Sequence, residues 1–471
     1  MARSQTAKRT PGFSLRDDYA FLTLVLLLCA AFFFGGSSRD DVVTLALLRP
    51  IAVAALAIGL IGLSRDHFAR YPSLLVGALA MLGLVVIHLI PLPPSIWTAL
   101  PGRSLAVEAA QAGGIAQPWR PIALVPWRAV NALFALLVPT AALVLAVQLS
   151  PERRTQLAPI ALALVALSIL LAVAQVASGY ASFLYLYPVN SRGVPTGLFA
   201  NRNHFAVLIA AMLPLVALVA RGDGRSRRLA ALRLWVAVAA SVMGLLILLM
   251  TGSRAGLLLV VLSLALLPLV MTIDTRQTKA KRRISRRWLT LALVLAILLA
   301  VVALAVMFAR SESIDRLLGT AGDDELRWHI WAPIIELAWQ YFPVGSGIGS
   351  FVEVYQAGEP TALLGYNYVN HAHDDVLEWL LETGLIGGIM LVLALIAWGR
   401  RVAQLLARGA RDMPGNAIAR SGAIAMFVLG LASLGDYPLR APAIACVFVI
   451  CAVWMSAGSS EGMPSRRRSE T

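Results

Sequence analysis

The sequence predicts an all-α polytopic membrane protein of about twelve transmembrane helices with one large external loop subdomain. Three observations predict it. Hydrophobic residues make up 59% of the 471 and charged ones only 14%, against roughly a quarter charged in soluble domains. The apolar residues fall in separate runs, long enough to cross a bilayer as helices. Arginine and lysine gather in alternate loops, as they do in cytoplasmic connections. The net charge of +15 is therefore read as a topology signal, and no soluble basic face is left to bind nucleic acid. Cys29, Cys446 and Cys451 all lie inside apolar runs, with neither disulfide nor zinc spacing.

Residues 1–18 carry Arg3, Lys8, Arg9 and Arg16 and form a basic cytoplasmic tail. Residues 19–34 look like a signal-peptide core. Gly35-Gly36-Ser37-Ser38-Arg39 offers no clear small-x-small cleavage site, however, and another span follows, so the segment is read as a retained first helix. Further spans are expected near 42–63, 72–92, 127–149, 157–178, 204–220, 234–250, 255–273, 289–309, 375–398, 419–434 and 440–457. One set of loops carries Arg65/Arg70, Arg153/Arg154, Arg221–Arg233, Lys279–Arg287, Arg400–Arg411 and Arg466–Arg468. The alternate set carries Asp40/Asp41, residues 93–126 and Asp323-Asp324-Glu325. The first set is cytoplasmic by its charge, which puts both termini inside, the second being the basic tail 458–471.

Two external loops have substance. Residues 93–126, rich in proline and carrying Trp97 and Trp119, read as an irregular segment hugging the interface. Residues 310–374 form the external subdomain. In it, Glu325–Gln340 places Trp328, Trp331, Ile335 and Trp339 at helical spacing. That stripe fits an amphipathic helix at headgroup level or an aromatic face that grips substrate. The subdomain ends at His371-Ala372-His373-Asp374-Asp375. Asp375 with Glu378 reads as an N-cap and its capping-box partner, opening a span that continues to Trp398.

Four polar stretches fall at external span ends: Asn201-Arg202-Asn203-His204, Thr251-Gly252-Ser253-Arg254, the His-Ala-His-Asp-Asp run, and Asp436-Tyr437-Pro438-Leu439-Arg440. A helix N-terminus presents free N–H groups and partial positive charge, which favour an anion. Arg202 and Arg254 at two such ends suit a phosphate, which guanidinium grips at two points. An anion there fits the pyrophosphate of a lipid-linked substrate. Arg202 could equally touch lipid headgroups alone, His204 could satisfy a backbone carbonyl, and Arg440 is expected to bridge to Asp436.

Other motifs read more plainly. His371-x-His373-x-Asp375 matches only part of a metallo-hydrolase signature, with Val376 at the next ligand position and no further histidine cluster, so no metal site is expected. Gly345-Ser346-Gly347-Ile348-Gly349 lacks the Lys-Ser/Thr ending of a P-loop and reads as a turn. Gly384 and Gly388 form a small-xxx-small pair for close helix packing. Arg49 lies inside the second span, either functional or snorkelling outward.

Phe199-Ala-Asn-Arg-Asn-His-Phe205, Thr251-Gly-Ser-Arg-Ala-Gly256, Arg327-Trp328-His329-Ile330-Trp331, Phe342-Pro-Val-Gly-Ser-Gly-Ile-Gly-Ser-Phe351 and His371–Glu378 together resemble the O-antigen ligase and polymerase superfamily, over about residues 190–400. The resemblance implies a GT-C-like glycosyltransferase of the bacterial inner membrane with its site facing the periplasm. It implies a donor glycan on undecaprenyl pyrophosphate and an acceptor that is lipid A–core, another lipid-linked glycan or a protein hydroxyl. No metal or other cofactor is implied. Carried onto this chain, it points to Arg202 and Arg254 for the pyrophosphate and to His371 or His373 for the acceptor proton. Asp374, where many relatives have Asn, adds an acid beside that base. Arg327, Trp331 and Arg440 complete the expected substrate-binding set. The rival reading is a transporter for the same lipid-linked glycan, which would need polar residues along a midplane path. Apart from Arg49, the charges sit at span ends.

Overall fold

The computed structural model describes residues 15–179, 183–188, 191, 193–221, 227–270, 322–364, 368–407 and 416–457. Outside them lie the expected span at 289–309, the basic run Lys279–Arg287, most of each tail and the side chains of Arg327 and Trp328. The protein is a helical membrane protein with no sheet core; its only strand pairing among the described residues is Pro91–Leu92 against Arg120–Pro121.

Seven described helices are long and apolar enough to cross a membrane. They are α2 (Leu45–Gly62), α4 (Pro72–Leu89), α7 (Pro126–Ala146), α8 (Pro151–Ser178), α9 (Arg202–Arg221), α10 (Arg227–Thr251) and α14 (Asp375–Leu406). Four shorter apolar helices accompany them: α1 (Leu15–Phe34), α11 (Arg254–Val270), α15 (Asn416–Ala432) and α16 (Pro442–Ala457). Each coincides with an expected span. Local sequence explains the starts. Ser150 Oγ accepts from Arg153 N at 3.3 Å, Pro151 occupies the first helical position, and Glu152 lies in the positive first turn of α8.

Among the seven, α9 is the most enclosed: 61% of its apolar stretch is buried, against 22–44% for the others. It packs on α8, α10, α11 and α15, and α15 in turn packs on α16, whose residues are almost all buried. The small residues Ala206, Ala210, Ala211, Ala425, Ala443 and Gly422 allow these backbones to approach closely. The loops before α9 and after α15 therefore start from the centre of the bundle. That is why their polar residues can be buried without being in lipid.

The segments between the long helices have their own core. Short helices α3 (Arg65–Arg70), α5 (Pro94–Trp97) and α6 (Ser104–Ala112) fill connections; α12 (Gly322–Tyr341) and α13 (Phe351–Gly358) form the larger subdomain. Ile330, Ile334, Leu337 and Tyr341 of α12 bury against Phe351, Val354, Tyr355, Ala372 and Leu381. Ile335 and Trp339 stay exposed, whereas Trp331 packs against this cluster, so the stripe is divided between two faces.

Residues 93–126 are more ordered than expected. Arg103, almost fully buried, donates to Ile122 O at 2.8 Å and Gly345 O at 3.1 Å, and lies over the rings of Trp97 and Tyr341. Burial pulls its guanidinium down to about 10. Leu124 N donates to Ser346 O at 3.0 Å, joining this segment to the glycine turn before α13. The glycine turn at 345–349 makes this possible: Gly347 has φ +99°, and a Cβ there would stand 2.2 Å from Ala123 Cα.

Two expectations change. Gly384 does more than let helices pack: at φ +58° and ψ −140° it breaks α14, and its missing side chain admits the Pro343 carbonyl. Arg49 does not simply reach outward; its guanidinium bonds Asn131 of α7.

Candidate active site

Three of the four polar stretches meet at Tyr437. Its ring lies 5.0 Å from that of His204, 4.3 Å from His371 and 5.0 Å from His373. These residues come from the start of α9, the loop before α14 and the loop before α16, and the chain between them runs over two hundred residues.

Two carboxylates organise the histidines. Asp436 is buried, with Oδ1 3.5 Å from His373 Nδ1 and 3.8 Å from His204 Nε2. Tyr437 N donates to Oδ1 at 3.0 Å and Asn203 Nδ2 to Oδ2 at 3.0 Å. Burial opposes ionisation of Asp436, yet the two imidazoles facing it hold its carboxyl well below the usual range. His204 is fully buried, and neither of its ring nitrogens has a hydrogen-bond partner among the described residues. It faces a carboxylate, not the backbone carbonyl that sequence suggested.

Glu378 serves His371. Its Oε1 lies 3.0 Å from His371 Nδ1 and 3.1 Å from Arg440 Nη1, and its Oε2 accepts from Ala372 N at 2.9 Å. Arg440 also pairs with Asp375 at 3.2 Å and approaches Glu382 at 4.0 Å. The expected Arg440–Asp436 bridge is thus replaced by a bridge to the three acids along the first turns of α14, which the i, i+3, i+7 spacing puts on one face. Arg440 is occupied by protein carboxylates, which weakens the expectation that it binds substrate.

The cap of α14 shifts by one residue. Asp374 Oδ1 accepts from Val376 N at 2.8 Å and from Leu377 N at 2.9 Å, while Asp375 N donates to Ser433 O at 2.8 Å. Asp374 is therefore the N-cap, a role that contributes about 1 kcal/mol. Its carboxylate is turned to the helix end, away from the role of an acid beside the base. Glu378 is consumed by His371 and so does not close a capping box.

His373 has φ +52°, the left-handed region, where a non-glycine residue costs roughly 1–3 kcal/mol. Neighbouring contacts hold it there. Trp331 Nε1 donates to Ala372 O at 3.0 Å, so this tryptophan supports the histidine loop instead of standing free as a substrate platform.

The arginine ends are formed as expected. Asn201 Oδ1 accepts from Asn203 N at 2.8 Å, and Ser253 Oγ accepts from Gly256 N at 3.1 Å, capping α9 and α11. Gly256 packs on Ala206, where a Cβ would come within 2.6 Å of the alanine methyl. The first turns of α9 and α11 therefore lie side by side, with Arg202 and Arg254 both partly exposed. Among the described residues no three His, Cys, Asp or Glu side chains are grouped to hold a metal ion.

Sequence reading missed Asp436 as the shared partner of two histidines, and Glu378 and Tyr437 altogether as site residues. The signal was present for Asp436: an acid buried before an otherwise apolar last helix needs a partner.

Residues 239–392, about a third of the chain, match the family model described as O-Antigen ligase. The match takes in Arg254 and everything from His371 to Glu382, and ends before Asp436 and Arg440. No curated protein matches the chain.

Proposed function

We propose, from the match of residues 239–392 to the O-antigen ligase family model, that this chain transfers a glycan from a polyprenyl pyrophosphate to an acceptor hydroxyl at the periplasmic face of the inner membrane. The observation that carries the reading is the convergence of three histidines and two buried carboxylates at the ends of α9, α14 and α16, on the side where Arg254 opens α11.

The acceptor oxygen attacks the anomeric carbon while the bond from that carbon to the pyrophosphate oxygen breaks. The electron pair leaves with the polyprenyl pyrophosphate, and attack opposite the leaving group inverts the centre. Arg254 and Arg202, each at a helix start, stabilise the charge on the departing pyrophosphate. His373 takes the hydroxyl proton. Its side chain is 24% exposed against 13% for His371, so it is the histidine an acceptor reaches. Asp436 stands behind it to stabilise the imidazolium.

The test incubates purified protein with a defined undecaprenyl-pyrophosphate-linked repeat, with and without lipid A–core. Glycan on core identifies a ligase; longer lipid-linked chains identify a polymerase. If neither product forms from a competent donor, the reading is wrong.

Orientation is checked separately. Single cysteines at Ile115 and Thr361 should react in whole cells with an impermeant thiol reagent, and those at Asp66 and Gln404 should not. All four positions are exposed, whereas Cys446 and Cys451 are buried. Labelling at Asp66 from outside would place the site in the cytoplasm.

A further inference from the structure

We propose that Glu378, with Arg440 and Trp331, is a positioning residue that clamps the His371–Ala372 step and so seats His373, with His371 working as part of the clamp. The proposal rests on the glycosyl-transfer reading above.

Three polar groups of that step are engaged. His371 Nδ1 and Ala372 N both go to the Glu378 carboxylate, at 3.0 and 2.9 Å, and Ala372 O accepts from Trp331 Nε1 at 3.0 Å. Glu378 is buried, and Arg440 Nη1 at 3.1 Å is its third donor. A carboxylate only accepts, so His371 Nδ1 must carry the hydrogen. Ala372 itself is fully buried, leaving the step no room to shift. The next residue is His373, at φ +52° and with no hydrogen bond to Nδ1 among the described residues. His373 Nδ1 faces Asp436 Oδ1 at 3.5 Å and its ring lies 5.0 Å from that of Tyr437; those contacts hold the side chain, and the clamp one residue earlier holds the backbone that carries it.

The chemistry of the clamp separates His371 from a base. It uses only a donor at the Nδ1 position, which the amide nitrogen of asparagine reproduces. His371→Ala should lower kcat by about a hundred-fold, the effect of misplacing a reacting group by roughly an ångström. His371→Asn should recover to within about tenfold of wild type. Glu378→Gln should resemble His371→Ala: an amide offers one oxygen to three donors and turns its own N–H groups on one of them. In all these variants KM for the lipid-linked donor should stay near wild type, because the pyrophosphate grip lies on α9 and α11. His373→Asn should be inactive.

The assay is turnover of the defined lipid-linked repeat, per molecule folded by size exclusion. If His371→Asn is as dead as His373→Asn, His371 does chemistry and the clamp assignment is overturned. Full activity in His371→Ala and Glu378→Gln overturns it as well. If His373→Asn turns over normally, the base reading fails instead. Should Glu378→Gln not fold, Trp331→Phe, which removes the donor to Ala372 O while keeping an aromatic ring, takes its place: a lower kcat at unchanged KM supports the clamp, and wild-type kcat overturns it.

Discussion

Arg254→Lys should lower turnover by about a hundred- to a thousand-fold, the usual consequence of losing one preorganised donor to a developing anion. Lysine keeps the charge but loses the planar, two-point grip. The position makes that grip matter. Ser253 caps α11 on Gly256 N, and Arg254 is the first helical residue, so in the proposed reading its guanidinium would meet the pyrophosphate together with the N–H groups of the first turn. An arginine that touches only lipid headgroups tolerates lysine. Arg39→Lys supplies that comparison, since Arg39 pairs with Asp41 near the surface, a pair of small energetic worth. Turnover per folded molecule separates the outcomes: near-wild-type rates in both variants remove Arg254 from pyrophosphate stabilisation.

Asp436→Asn should lose about a hundred-fold or more in turnover, because the base then lacks the charge that stabilises its protonated form. It should also be less stable at neutral pH, by about 3–5 kcal/mol if it behaves as other broken buried pairs do. The pH dependence has a definite sign. The folded-state carboxyl of Asp436 is held well below its ordinary value. Its stabilising contribution is therefore complete above the unfolded value near ~3.9 and is lost as pH falls through the lower folded value. Thermal unfolding in nanodiscs should show a wild-type advantage over Asp436→Asn that is flat from neutral pH to about pH 5 and narrows only in strong acid. An advantage that vanishes near neutrality would mean another group governs the cluster.

Much of this architecture was legible in the chain. Apolar length located the described apolar helices, because bilayer thickness acts on composition directly. The caps at Asn201 and Ser253 were legible for a similar reason: capping is local, and the cap lies within three residues of what it bonds. Partnerships were not. The Arg440–Asp436 bridge was inferred from nearness in sequence. The actual partners of Arg440 lie about sixty residues away on α14, brought there by the packing of α15 and α16. Glu378 misled for the opposite reason. Its spacing from Asp375 suits a capping box, but a neighbouring acid made the cap and a histidine outside the helix claimed the glutamate.

The break at Gly384 divides α14 into an acidic and an apolar piece. Counted as one helix, Asp375–Leu406 would carry Glu378 and Glu382 toward the hydrocarbon. Broken at Gly384, it becomes two pieces with different surroundings. The acidic first turns are enclosed by α12, α13 and the 343–350 loop, whereas Leu385, Ile386, Ile389, Val392, Leu393 and Ile396 beyond the break are exposed. The second piece, Leu385–Leu406, is about 33 Å long at ~1.5 Å per residue, matching the roughly 30 Å of a bilayer core. It can anchor the helix alone. The acids then stand outside the apolar piece, and the charged backing of the histidine loop belongs to the packed shell of α12, α13 and the 343–350 loop.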